Sequence, residues 1–425
     1  MVLHKYTISK TSGSGINYFK VTPANGYCPQ KALNIEVGTG LIHEYDYSSS
    51  EAAHISGGKS IYGLLGIIHI YPISYLAVIV DYNHEKSLKV NGRDVYEISK
   101  AELISISGKD KEANKPFKEG IKKLLSSGFY FSHSYDLTKR MQREKGDERY
   151  WWNQNLYEEF KTYKVSSSWA IKVIQGFVGY STIIVNGETL ELSLISRRRY
   201  AMAGARYVKR GIDDQGSVAN FVESEQILRY EGYTTSFVQI RGSVPAFWEQ
   251  TGITAELTLT RSLDLDEWAF KKHFDDMINE YDKVVWANLL NNKRSYEMKL
   301  IQRFEELVKI YQGNNNRYLY FNFHVEWSNN NFAVMNEKMK LGNCSNFLGF
   351  LILKNGKVLR KQNGILRTNC LDCLDRTNIW QAFYSFKAFV HQLNFFHEEG
   401  LLNEESVLEA AQNQISEGIV SIIDE

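Results

Sequence analysis

The residues best suited to chemistry lie close together near the end of the chain, in Arg367-Thr-Asn-Cys-Leu-Asp-Cys-Leu-Asp-Arg-Thr-Asn378. Cys370 and Arg376 enclose five residues, and Thr377 follows at once. A loop of that length can wrap its backbone around one phosphate. Asn369 stands at its entry, Leu371, Cys373 and Leu374 supply the cradle, and the next helix aims its N-terminus at the same anion. The positive end of that helix favours the thiolate of Cys370, which is the nucleophilic form. Arg376 can hold two phosphate oxygens with its planar fork. Thr377 can donate to the sulfur as it leaves, and Asp372 or Asp375 can protonate the leaving group.

Three plainer readings compete. Cys-x5-Arg is a short pattern open to chance, and a buried structural cysteine is commoner than a catalytic one. Cys370-x2-Cys373 also has the spacing of a redox pair or of half a zinc site. Zinc would need a second pair, however, and only Cys28 and Cys344 remain, single and far off in sequence. A redox pair would leave Arg376-Thr377 without a role. The third reading is a polar loop that holds an anion structurally. What favours phosphate chemistry is position. Ile365-Leu366 reads as a strand running into the segment, and Ile379, Phe383, Phe386 and Val390 repeat afterwards at helical spacing.

The surrounding elements follow from local signals. Asn25-Gly26, Gly57-Gly58 and Asn91-Gly92 mark turns in a strand-like first part, and the charged run from Lys109 to Lys115 reads as an exposed loop. Asn186-Gly187 and Asn355-Gly356 predict two later hairpins. Leu300, Ile301, Phe304, Leu307, Val308 and Tyr311 share one face of a helix, and Tyr318 to Phe323 reads as a strand. A polar stretch from Thr138 to Arg149 sets a boundary after Trp152. Two regions are therefore expected, 1–155 and 156–425.

The chain has 425 residues and a formal net charge of +1, so no global field draws it onto nucleic acid or membrane. Four scattered cysteines do not make a secreted disulfide framework, and the N-terminus lacks a signal-peptide pattern. Ile61 to Val80 imitates a membrane span in length, but His69, Pro72 and Ser74 interrupt it. Two buried strands separated by Tyr71-Pro72 explain it better. The expected location is cytoplasmic.

The cysteine segment resembles the signature of the Sac-domain phosphoinositide phosphatases, the group that includes the Sac module of synaptojanin. Lys59-Ser-Ile-Tyr-Gly-Leu-Leu-Gly66 and Phe129-Tyr-Phe-Ser-His-Ser-Tyr-Asp-Leu-Thr138 are similar to that family's N-terminal subdomain. Arg198 to Tyr207, Gly211 to Gln226 and Gln239 to Gln250 resemble its catalytic half, in the same order. The resemblance implies an α/β fold with an N-terminal β-rich Sac subdomain packed on an α/β catalytic subdomain, the Cys-x5-Arg loop lying between strand and helix. It implies removal of an inositol-ring phosphate from a membrane lipid, most often the 4-phosphate of phosphatidylinositol 4-phosphate. Cys370 is then the nucleophile and Arg376 the phosphate clamp, with no metal or other cofactor. It also implies a peripheral position on the cytosolic face of a membrane, with no nucleic-acid partner and an unidentified adaptor. Two departures stand out. Where the family reads Phe-Asp-Phe-His, this chain has Phe321-Asn-Phe-His324, and Asn322 cannot titrate. The chain also ends at Glu425, soon after the loop and its helix, where family members continue.

Among other residues, the basic run from Arg197 to Arg210 is by default a solvated face. Arg206, Lys209 and Arg210 are the headgroup-binding candidates within it, because cations favour a negative leaflet; Arg241 and Lys272 are weaker ones. His324 is a candidate supporting the loop, and His133 is better read as a satisfied histidine than as a base. The leading expectation is a phosphatase acting through a phosphocysteine. The alternatives are a catalytically weak lipid-binding module and a protein phosphatase with the same loop.

Overall fold

A computed structural model describes residues 3–13, 15–24, 31–46, 58–185, 187–204, 210–250, 257–311, 313, 315–326, 337, 348–371 and 375–410. The chain divides into two units: residues 1–139 with 145–178, and residues 140–144 with 179–425. The fold is mixed α/β.

In the first unit, strands β1 (Tyr6–Gly13), β2 (Ile16–Pro23), β3 (Lys31–Glu36), β4 (Ile42–Asp46) and β5 (Lys59–Ile61) form an antiparallel sheet in the order β4-β3-β2-β1-β5. The apolar run from Ile61 to Val80 is split as expected into β6 (Gly63–Ile70) and β7 (Ile73–Tyr82), paired antiparallel across Tyr71-Pro72. Six of the seven residues from Ile73 to Ile79 are buried, so the membrane-like composition is that of a strand buried on both faces. Strand β8 (Leu88–Val90) turns through Asn91-Gly92, both at positive φ, into the long β9 (Arg93–Ser105). The charged run after Gly108 is not wholly loop: a 3-10 turn at Glu112–Asn114 leads into helix α1 (Lys115–Leu124), which Pro116 helps to start. Strand β10 (Phe129–Phe131) closes the pairing on β9. No helix among the described residues is long and apolar enough to cross a membrane.

Strand β11 (Val173–Val185) carries the chain into the second unit. There β12 (Glu188–Arg198), β13 (Val222–Tyr230) and β14 (Tyr233–Ser243) run antiparallel, followed by the small ribbon β15 (Trp248–Gln250) and β16 (Leu257–Leu259). Helix α2 (Leu263–Tyr281) precedes β17 (Val284–Asn288). Helix α3 (Ser295–Ile310) buries Leu300, Ile301, Phe304, Leu307 and Val308, the stripe read from the sequence. Strand β18 (Asn316–Tyr320) is shorter than expected, because Phe323–Glu326 is a helical turn. The hairpin of β19 (Leu351–Lys354) and β20 (Lys357–Arg360) turns on Asn355-Gly356, at φ 49° and 81°, the left-handed pair that matches strand twist. Last come β21 (Ile365–Cys370) and the 24-residue helix α4 (Asp375–Glu398).

The parallel part decides where chemistry can occur. Strand β21 lies between β14 and β17, parallel to both, and β18 continues beyond β17. Trp380, Phe383, Tyr384, Phe389 and Leu393 of α4 pack on this sheet with Phe237, Ala287 and Leu366.

Candidate active site

All four parallel strands end on the same side, and in open α/β sheets ligands bind outside the carboxyl ends of the strands. Cys370 is the last residue of β21 and is paired with Ser243 at the end of β14. Asp375 opens α4, and Arg376 and Thr377 follow in its first turn. A strand therefore ends at Cys370 and a helix begins at Asp375. Asp372, Cys373 and Leu374 lie outside the described residues.

The last residues of β21 are polar yet fully buried: Arg367, Thr368 and Asn369 are 0% exposed. Each anchors the strand end differently. The Arg367 guanidinium donates to the carbonyls of Gly242 (3.0 Å), Ser243 (2.8 Å) and Thr368 (2.7 Å). Gly242 makes this possible: a Cβ there would stand 3.0 Å from the guanidinium. Asn369 Nδ2 donates to Asn288 Oδ1 at 3.2 Å, tying the ends of β21 and β17 together. Leu371 is buried, and its carbonyl accepts a 3.1 Å bond from Arg210, itself 8% exposed. Arg210 thus meets the loop through its backbone.

Arg376 is held by a residue that the sequence did not single out. Its Nη1 donates to Glu297 Oε2 at 3.0 Å and to the Leu289 carbonyl at 3.3 Å. Glu297 sits in the first turn of α3, is fully buried, and also accepts the backbone N–H of Asn291 at 2.7 Å. No pattern distinguishes this glutamate from a solvent-facing one at the start of an amphipathic helix. Its burial comes from the loop 289–294 folding over it.

Three buried acceptor or donor atoms at the strand and helix ends have no partner among the described residues: Thr377 Oγ1, Thr368 Oγ1 and Asn369 Oδ1. Natural interiors satisfy nearly all such atoms, so a cluster of exceptions marks a place where a ligand or water is wanted.

The remaining candidates are placed as follows. Asn322 is buried and caps the turn Phe323–Glu326. Its Oδ1 accepts the Val325 N–H, its own N–H donates to Glu326 at 3.0 Å, and Nδ2 donates to Asn291 Oδ1 at 3.3 Å. His324 belongs to that turn. Arg241 donates to Asn378 of α4. Arg206 and Lys209 lie outside the described residues. The solvated-face reading of the basic run fails for its other arginines. Arg197 is fully buried between Glu223 (3.2 Å) and Glu225 (2.7 Å), and Arg199 is buried against Asp276 (2.9 Å). The partners of Arg197 lie on the opposed strand β13 and that of Arg199 on α2, neighbours that the sequence alone does not align. Lys272 lies 3.5 Å over the Trp268 ring and donates to the Asp214 carbonyl. His133 is in the first unit, stacked on His4 at 4.7 Å. Its ring is hydrogen-bonded to the Tyr62 backbone, while Nε2 has no partner among the described residues. Among these residues no group of three or more metal-ligating side chains occurs.

The family model for the SacI homology domain matches residues 62–328. Phosphatidylinositol-3-phosphatase SAC1-B of Danio rerio is 34% identical over 79% of this chain and 61% of its own. Phosphoinositide phosphatase SAC6 of Arabidopsis thaliana is 33% identical over 84% of this chain and 63% of its own. Human synaptojanin-1 is 33% identical over 81% of this chain and 23% of its own. The chain thus spans about three-fifths of the length of the first two relatives.

Proposed function

The chain belongs to the SacI homology domain family, and from that premise we propose that it is a phosphoinositide phosphatase with Cys370 as nucleophile. The observation that carries the reading is the position of Cys370 at the end of a buried parallel strand, with Arg376 in the first turn of the helix that follows. The helix N-terminus and the loop N–H groups receive the phosphate. The Cys370 thiolate attacks phosphorus, the P–O bond to the inositol ring breaks, and the ring oxygen takes a proton from Asp372 or Asp375. Water then attacks the phosphocysteine, releasing phosphate and returning the thiolate. Arg376, oriented by Glu297, follows the charge on the equatorial oxygens. Thr377 Oγ1, buried without a protein partner among the described residues, is suited to donate to the sulfur as it leaves. Asn322 serves as a cap and keeps the loop shape without titrating.

The substrate proposed is a phosphatidylinositol monophosphate on the cytosolic face of a membrane, the 4-phosphate first. The name of the zebrafish relative specifies a 3-phosphatase, so the test must cover both ring positions. Phosphate release is measured from short-chain phosphatidylinositol 3-, 4- and 5-phosphates, the parent beside Cys370→Ser. Release by the parent and a loss of at least about a thousandfold in the variant is expected. Full activity in Cys370→Ser would remove Cys370 from the mechanism. Turnover of phosphotyrosine peptides without any of lipids would make this a protein phosphatase. Liposome binding with no release from any lipid would favour a binding module, the reading that Asn322 motivates.

A further inference from the structure

A second concave site lies in the same unit, on a different stretch of α4. It is a pocket of ≈ 430 Å³ between that helix and the residues flanking the β19–β20 hairpin. Its volume falls in the range of small-ligand sites. Arg360 and Lys361 stand on the hairpin side, while Lys387 and His391, one helical turn apart, stand on the helix side. Phe350, Tyr384 and Phe395 supply apolar ring surface among them. Among the described residues of the lining Glu398 is the one carboxylate, beside three permanent cations.

The cations are arranged rather than scattered. The Arg360 guanidinium lies 4.2 Å over the Phe350 ring, a cation–π contact that ties it to the pocket wall. Burial, Lys387 and Arg360 together hold the His391 imidazole below its usual pKa. At about 1.5 Å rise per residue, His391 is roughly 22 Å along α4 from Arg376, too far for one headgroup to reach both. Cations on two opposed walls with aromatic surface between them suit a ring that carries phosphate at more than one edge.

We propose that this pocket is a second, non-catalytic site for a phosphorylated polyol, either free or as a lipid headgroup. The proposal does not depend on the chemistry assigned to Cys370. It is tested on the full chain carrying Arg376→Ala, which disables the catalytic clamp. The probe is inositol 1,4-bisphosphate, and the readout is the His391 ring resonance, assigned by its absence in His391→Gln. A saturable shift of that resonance is expected. Arg360→Glu with Lys387→Glu should weaken its half-saturation about tenfold or more. Should the doubly reversed chain not fold, Lys361→Gln, at an exposed position, should weaken binding a few-fold. In the parent background these substitutions leave turnover of a short-chain substrate unchanged. A parallel arm uses phosphatidylcholine vesicles with and without phosphatidylinositol 4-phosphate. Response to the soluble bisphosphate assigns a free ligand, and response only to vesicles carrying the phosphoinositide assigns the lipid. An unmoved His391 resonance, equal binding after charge reversal, or equal response to plain phosphatidylcholine would overturn the proposal.

Discussion

Two buried polar regions of the second unit look alike in composition and differ in what they leave unsatisfied. In the first, Arg197 and Arg140 face Glu223 and Glu225 under the sheet, and the carboxylates are saturated. Glu223 accepts from Arg197 and from the Tyr281 hydroxyl at 2.6 Å, while Glu225 accepts from Arg197, Ser236 Oγ (2.7 Å) and the Met141 N–H (2.8 Å). In the second, at the carboxyl ends of the parallel strands, Arg367 donates to three backbone carbonyls and Glu297 accepts from Arg376 and the Asn291 N–H. Beside them, however, Thr377, Thr368 and Asn369 present buried atoms with no protein partner among the described residues. A closed network specifies structure, because removing one member strands the others. An open one keeps places for a ligand. Buried charge alone therefore does not locate the site; incomplete satisfaction next to a helix N-terminus does.

That contrast can be broken by experiment. The largest effect on stability is expected from Arg197→Met, which removes the buried cation that Glu223 and Glu225 share. Denaturant unfolding should show a loss of about 3–5 kcal/mol, while activity per folded molecule stays near the parent's. A large fall in turnover with stability intact would make the network part of the site. Glu297→Gln comes next. The amide can still accept from Asn291 but no longer pairs with the charge of Arg376, so kcat should fall about tenfold to a hundredfold with KM little changed. A rise in KM alone would instead assign Glu297 to substrate binding.

Thr377→Val sharpens the comparison from the other side. Because its hydroxyl has no partner among the described residues, stability should change by no more than about 0.5 kcal/mol or even increase. Turnover should drop about tenfold, with the phosphoenzyme accumulating in a rapid-quench assay. A destabilisation of several kcal/mol would show that the hydroxyl is structurally satisfied after all.

The smallest effect is expected in the first unit, where His133 offers an unsatisfied nitrogen far in sequence from the loop. Burial foremost, and then His4, push its pKa down to about 4 from 6.5, against the opposing hydrogen bond to the Tyr62 backbone. Its folded pKa lies below the unfolded one, so the stability it contributes is complete above pH 6.5. That stability is lost as pH falls from 6.5 towards 4, by at most about 1.4 kcal/mol per pH unit. Unfolding of parent and His133→Gln at pH 7 and pH 5 measures it, and an equal pH dependence in both would remove His133 as the cause.

Much of the frame was legible before any coordinates. Asn91-Gly92 and Asn355-Gly356 are turns because few residue pairs adopt two successive left-handed conformations. The stripe from Leu300 to Val308 is a helix because its period fits no strand. The order Ile365-Leu366, Cys370-x5-Arg376, Ile379-x3-Phe383 sets Cys370 against the end of a strand and Arg376 at the start of a helix. These are local properties of chain geometry, and the sequence determines them without help. It also determined the family, because the ordered blocks from Lys59 to the cysteine segment depend on residue identity alone.

The tertiary structure decided which charges matter. Arg197 and Arg199 read as surface until β13 brings Glu223 beside one and α2 brings Asp276 beside the other. Glu297 reads as an ordinary first-turn acid until residues 289–294 and Arg376 close over it. The cationic pocket joins Arg360 and Lys361 to Lys387 and His391, from segments separated by the whole of β21 and the cysteine segment. Burial and charge pairing depend on which strands and helices become neighbours. That is set by the sum of many weak packing contacts across the sheet, and no window of sequence contains it.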